Sequence, residues 1–98
     1  MNNFINFHAT LSGDSNNIIR QKFIEFLSLY LELLRDKESD YDFASISLKW
    51  DDVTQTGDLR IVKNQKLEER EVDIDVIQED INELSFLVSL KNQPAIDE

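Results

Sequence analysis

Ala44-Ser45-Ile46-Ser47-Leu48-Lys49-Trp50 is the stretch that decides the fold. Ala44, Ile46, Leu48 and Trp50 alternate with Ser45, Ser47 and Lys49. Successive side chains of a strand point to opposite faces, so this spacing predicts a strand with one buried and one solvated face. Such a strand must lay its apolar side against another layer. Asp51-Asp52 and Thr56-Gly57-Asp58 follow with turn chemistry, and Leu59-Arg60-Ile61-Val62-Lys63 reads as the strand that returns antiparallel to it. Upstream, Asp36 to Asp42 carries five charges in seven residues and reads as a solvated connection.

The cover for this hairpin comes from the preceding residues. Ile19, Phe23, Phe26, Leu27, Tyr30, Leu33 and Leu34 repeat at the 3, 4, 7 spacing of one helix face, predicting a helix over about residues 16–35. Asp14 or Ser15 is placed to cap it. Ile24, Leu29 and Leu31 lie outside that stripe and add apolar surface beyond what one sheet face needs. Ahead of the helix, Ile5, Phe7, Ala9 and Leu11 alternate with Asn6, His8 and Thr10, which predicts a first strand.

After the hairpin, Asn64 to Glu71 reads as a charged loop. The last quarter supports two readings. Ile74, Ile77, Ile81, Leu84 and Val88 make a helical face with Asp73 as cap and Pro94 beyond the end, whereas Leu84, Phe86, Val88 and Leu90 alternate as a strand over residues 84–91 would. The expected class is therefore α+β: a small antiparallel sheet of three or four strands with two helices on one face, in the order β-α-β-β-α or β-α-β-β-α-β. One domain spans residues 1–91, and residues 92–98 form a tail expected to fray.

Composition excludes many chemistries. The 98 residues include no cysteine, two glycines and one histidine, so thiolate metal sites, glycine-rich phosphate loops and multi-histidine sites are ruled out. His8 stands beside no nucleophile motif and reads as a surface histidine. Asp36, Glu38, Asp40 and Asp42 start like a calcium loop, but Tyr41 stands where glycine is required and Ser47 where the bidentate glutamate belongs. Asp51-Asp52 and Asp73/Asp75 are the remaining pairs with weak magnesium character. We expect no catalytic residues, no metal and no cofactor. Met1-Asn2-Asn3-Phe4 lacks the basic region of a signal peptide. The most apolar stretch, Phe23 to Leu34, contains Glu25 and Glu32 and falls short of the ~20 residues of a membrane span. A cytoplasmic protein is expected.

Charge is the informative feature. Twenty acids oppose ten bases, for a net charge of −10, which argues against direct binding to nucleic acid or anionic membrane. Residues 1–35 are neutral overall, residues 36–58 carry −5 and residues 65–83 carry −6. The second block holds Glu68, Glu69, Glu71, Asp73, Asp75, Glu79, Asp80 and Glu83. A surface that needs only solubility can mix signs, while like charges at this density repel and lower stability.

These eight carboxylates are the expected partner-binding residues of a small non-catalytic inhibitor. Its composition is that of immunity or phage anti-defence proteins, and its partner would be a basic nuclease or nucleic-acid-binding protein, met by mimicry of phosphates. The competing reading is an interaction module, such as a secretion chaperone or a homodimeric adaptor, that works through Ile24, Leu29 and Leu31.

Overall fold

A computed structural model describes residues 6–36, 43–63 and 65–91. Its elements are β1 (Asn6–Gly13), α1 (Asn17–Asp36), β2 (Phe43–Asp51), β3 (Thr56–Lys63), β4 (Lys66–Val72) and α2 (Ile74–Lys91). The four strands form one sheet in the order β1-β2-β3-β4. Its class is α+β, with the element order β-α-β-β-β-α.

The central strand behaves as its alternation demands. Ala44, Ile46, Leu48 and Trp50 of β2 are all buried and face the helices together with Leu59 and Ile61 of β3. Ile19, Phe23, Phe26 and Leu34 of α1 close over them, and Val72, Ile77 and Ile81 complete the core from β4 and α2. Burying one large apolar side chain stabilises by about 1.5–3 kcal/mol, so this single layer holds the sheet and both helices together.

Trp50 is the hinge of the packing. Gly57 lies directly opposite it in the β2–β3 register, and a Cβ there would come within 2.8 Å of the indole ring. Gly13 has φ +83°, and a Cβ there would sit 2.2 Å from the Trp50 carbonyl oxygen. That close approach lets the Asp14 amide donate to the same oxygen at 2.8 Å. The first strand therefore runs on to Gly13, and the helix starts later than its upstream candidates suggest. Asn16, not Asp14 or Ser15, caps α1: its Oδ1 accepts from the Ile19 amide at 2.9 Å. At α2 the expected cap holds, with Asp73 Oδ1 accepting from the Val76 amide at 2.9 Å.

Two expectations change, and one open choice is decided. First, the sheet is mixed: β1 pairs parallel with β2, while β2–β3 and β3–β4 are antiparallel. A strand that returns through one 20-residue helix re-enters the sheet in its original direction. Second, residues 66–72 form β4 rather than a loop. Only Val72 of that strand is buried and Arg70 half-buried, so its alternation is carried by charged residues and shows no hydrophobic period. Lys63 pairs with Lys66, which makes the β3–β4 connection two residues long, with Gln65 at φ 69°. Of the two readings of the last quarter the helical one holds: residues 84–91 belong to α2, and the fourth strand precedes that helix. The tail at 92–98 and the acidic connection at 37–42 lie outside the described residues.

Candidate functional site

The sheet turns one face to the helices and leaves the other open. Register rows on the open face run His8–Ser45–Val62–Leu67, Thr10–Ser47–Arg60–Glu69 and Ser12–Lys49–Asp58–Glu71. Alternation along β4 therefore divides its acids. Glu69 and Glu71 stand on the open face, while Glu68 shares the helix side with Arg70 and Val72. Glu69 accepts from Arg60 Nε at 3.0 Å. Asp58 and Glu71 are directly opposite each other, a like-charge pair, with Lys49 on the far side of Asp58.

On α2 the acids separate as well. Asp80 is half-buried and held by the Arg70 guanidinium, which ties the helix to β4. Asp73 spends its carboxylate on the helix cap. Asp75, Glu79 and Glu83 follow one another at single-turn intervals, roughly 6 Å each, on the solvent side of α2. Among the described residues no ion pair engages Glu68, Glu71, Asp75, Glu79 or Glu83. The eight carboxylates thus form no single cluster. Three make an exposed ridge, two are ion-paired, one is a cap, and Glu68 and Glu71 flank the edge strand on opposite faces.

The ridge has a continuation that the sequence reading left out. Phe86 and Leu90 lie on the same outward side of α2 and are 62% and 47% exposed. Beside them Leu87, with Phe26, Tyr30, Ile61 and Leu84, lines a groove toward β4 whose rim carries Glu68, Asp80 and Glu83. The missed signal was the surplus of apolar residues in Leu84–Leu90, which one helix face cannot bury. The outward side of α2 therefore offers carboxylates over its first turns and apolar side chains over its last.

The apolar candidates on α1 also divide. Ile24 is 61% exposed, and Leu31, two turns later, is half-buried on the same side. Leu29 packs against the core on a different side, so the three residues do not make one patch. Lys22 contacts Gln78, and Lys91 contacts Glu32, which fixes the α2-facing side of α1 away from Ile24 and Leu31.

Of the carboxylates singled out as weak cation candidates, Asp51, Asp52 and Asp73 have structural uses. Asp52 Oδ1 accepts from Asn16 Nδ2 and Gln55 Nε2, each at 2.9 Å, and from Trp50 Nε1 at 3.4 Å, joining the β2–β3 turn to the start of α1. Asp51 Oδ1 accepts from the Val53 amide at 2.9 Å. His8 is exposed on the open sheet face. No helix among the described residues is long and apolar enough to cross a membrane.

No family model matches the sequence, and no curated protein matches it. Among solved structures, the N-terminal domain of Protein Y from Thermus thermophilus aligns with 89% of this chain and 99% of its own, at 12% identity and a TM-score of 0.43. A likeness that distant carries nothing about what this chain binds.

Proposed function

We propose that this chain is a non-catalytic inhibitor, working in the cytoplasm, that docks the outward side of α2 on a basic protein. The partner class is a nuclease or another nucleic-acid-binding protein whose cationic cleft accepts carboxylates in place of phosphates. One observation carries the reading: Asp75, Glu79 and Glu83 stand exposed on successive turns, and no described ion pair engages them. A ridge of like charge on one helix costs stability, and a cationic partner would turn that cost into attraction and faster encounter. Phe86 and Leu90 at the end of the ridge supply the desolvated apolar contact that charge alone lacks.

The test is affinity capture from host lysate with the wild-type chain and with Asp75→Lys/Glu79→Lys/Glu83→Lys. The reading expects a basic protein that is retained at low salt, is released by duplex DNA, and is absent from the triple variant. A partner that ignores both DNA and the reversal would remove the phosphate-mimic reading and favour docking through apolar surface.

A further inference from the structure

The four-stranded sheet has two edges among the described residues, β1 and β4, and they are built on opposite lines. Five of the seven residues of β4, Lys66-Leu67-Glu68-Glu69-Arg70-Glu71-Val72, are charged. The eight residues of β1, Asn6-Phe7-His8-Ala9-Thr10-Leu11-Ser12-Gly13, include no Asp, Glu, Lys, Arg or Pro. An edge strand presents unpaired amides and carbonyls, and proteins blunt such edges with charge, proline, bulges or cover. β4 carries that protection; β1 lacks the charge and the proline.

We propose that β1 pairs antiparallel with β1 of a second copy of this chain, joining two four-stranded sheets into one of eight strands. Self-pairing is favoured over a foreign strand by the layout of the edge itself. With the two-fold axis at Ala9, Phe7 lies opposite Leu11 of the partner copy and His8 opposite Thr10. Each sheet face then meets its own kind across the axis.

The helix above the strand obeys the same axis. α1 begins near the end of β1, so four strand residues at ~3.3 Å reach back about as far as nine helix residues at ~1.5 Å. The Phe26–Leu27 level of α1 therefore sits over Ala9. Ile24 and Leu31 straddle that level on the side of α1 turned away from α2, which is the side over the outer edge of β1. In the pair, Ile24 of one copy faces Leu31 of the other, and an exposed apolar side chain gains the cover it lacks in the single chain.

Charge permits this contact. Residues 1–35 are neutral overall, so the joined edges do not repel. The acidic β4–α2 halves end up at the two far ends of the joined sheet, several screening lengths of ~8 Å apart at physiological salt. This inference does not depend on the inhibitor reading, and either can fail alone.

The experiment combines solution mass with site-directed cross-linking. The chain has no cysteine, so Ala9→Cys and Leu67→Cys each place a single thiol, one on each edge strand. Light scattering of the wild-type chain at high micromolar concentration should give twice the chain mass. Mild oxidation should cross-link Ala9→Cys at least tenfold faster than Leu67→Cys. Ile24→Glu, on the exposed helix surface, should return the mass to that of one chain while leaving the circular dichroism spectrum unchanged. A single-chain mass for the wild type overturns the proposal. So does equal cross-linking from both positions, or a dimer untouched by Ile24→Glu.

Discussion

The β1–α1 half and the β4–α2 half of this molecule share one core and present opposite surfaces. β1 has no Asp, Glu, Lys or Arg, and α1 after it carries the exposed Ile24; β4 is mostly charge, and α2 after it carries Asp75, Glu79 and Glu83 outward. The same number of strands and helices stands on each side, so the fold does not require the difference. It teaches that the acidic block of residues 65–83 falls on the edge strand that needs protection and on the helix beside it. The neutral half is the one we propose for contact between like chains. A uniformly solubilising charge would have covered both edges.

The largest effect should come from breaking the layer that the two halves share. Trp50 is 2% exposed and touches both the end of β1 and the start of β3 through Gly13 and Gly57. Trp50→Ala should lose about 3–5 kcal/mol, read as a lower urea midpoint in a single transition. Two separate transitions in the wild type would instead make the halves independent units and the comparison one between domains.

Asp73→Ala probes the acidic half alone. It removes the acceptor for the Val76 amide at 2.9 Å and should cost about 1 kcal/mol, by loosening the first turn of α2. Amide exchange should quicken at Val76 and Ile77 and stay unchanged in β1. A uniform increase across the chain would contradict a local role for the cap.

Glu71→Lys sharpens the comparison on the acidic side by separating stability from recognition. Asp58 and Glu71 are cross-strand neighbours of like charge, so the reversal should raise stability by about 0.2–1 kcal/mol. Capture of the partner should be unaffected, because Glu71 faces the open side of the sheet and the ridge lies on α2. Lost capture would move the recognition surface to the sheet. Smaller still is the effect of sodium chloride on the wild type. Screening of the acidic blocks should raise the melting temperature modestly, and a steady fall would contradict the self-repulsion on which the comparison rests.

What could be read from the chain follows the strength of its hydrophobic period. The alternation Ala44, Ile46, Leu48, Trp50 marked the central strand because that strand lies inside the sheet and its whole helix-side face is buried. α1 was legible from Ile19, Phe23 and Phe26, and α2 from Ile77 and Ile81 with the Asp73 cap. β4 was not, since an edge strand with only Val72 buried alternates in charge rather than in apolarity. The parallel pairing of β1 with β2 followed from the single helix between them, a rule of chain direction that residue spacing does not display. For the candidate site, α2 spacing put Asp75, Glu79 and Glu83 together. Membership of one acidic block hid that Asp80 is an internal ion pair, and it counted Asp73 as a partner contact although its cap role was already legible. Leu29 was grouped with Ile24 and Leu31 because surplus apolarity does not say which side of a helix a second helix will cover.

The central claim is that the two halves make separate contacts, and the mass of the complex between this chain and its captured partner, measured by light scattering, tests it most directly. Three chains are compared: wild type, Ile24→Glu and Asp75→Lys/Glu79→Lys/Glu83→Lys. Wild type should show two copies with two partners, Ile24→Glu one copy with one partner, and the triple reversal two copies with none. Loss of both contacts from either variant, or of neither, would contradict the division of the molecule into a neutral self-associating half and an acidic partner-binding half.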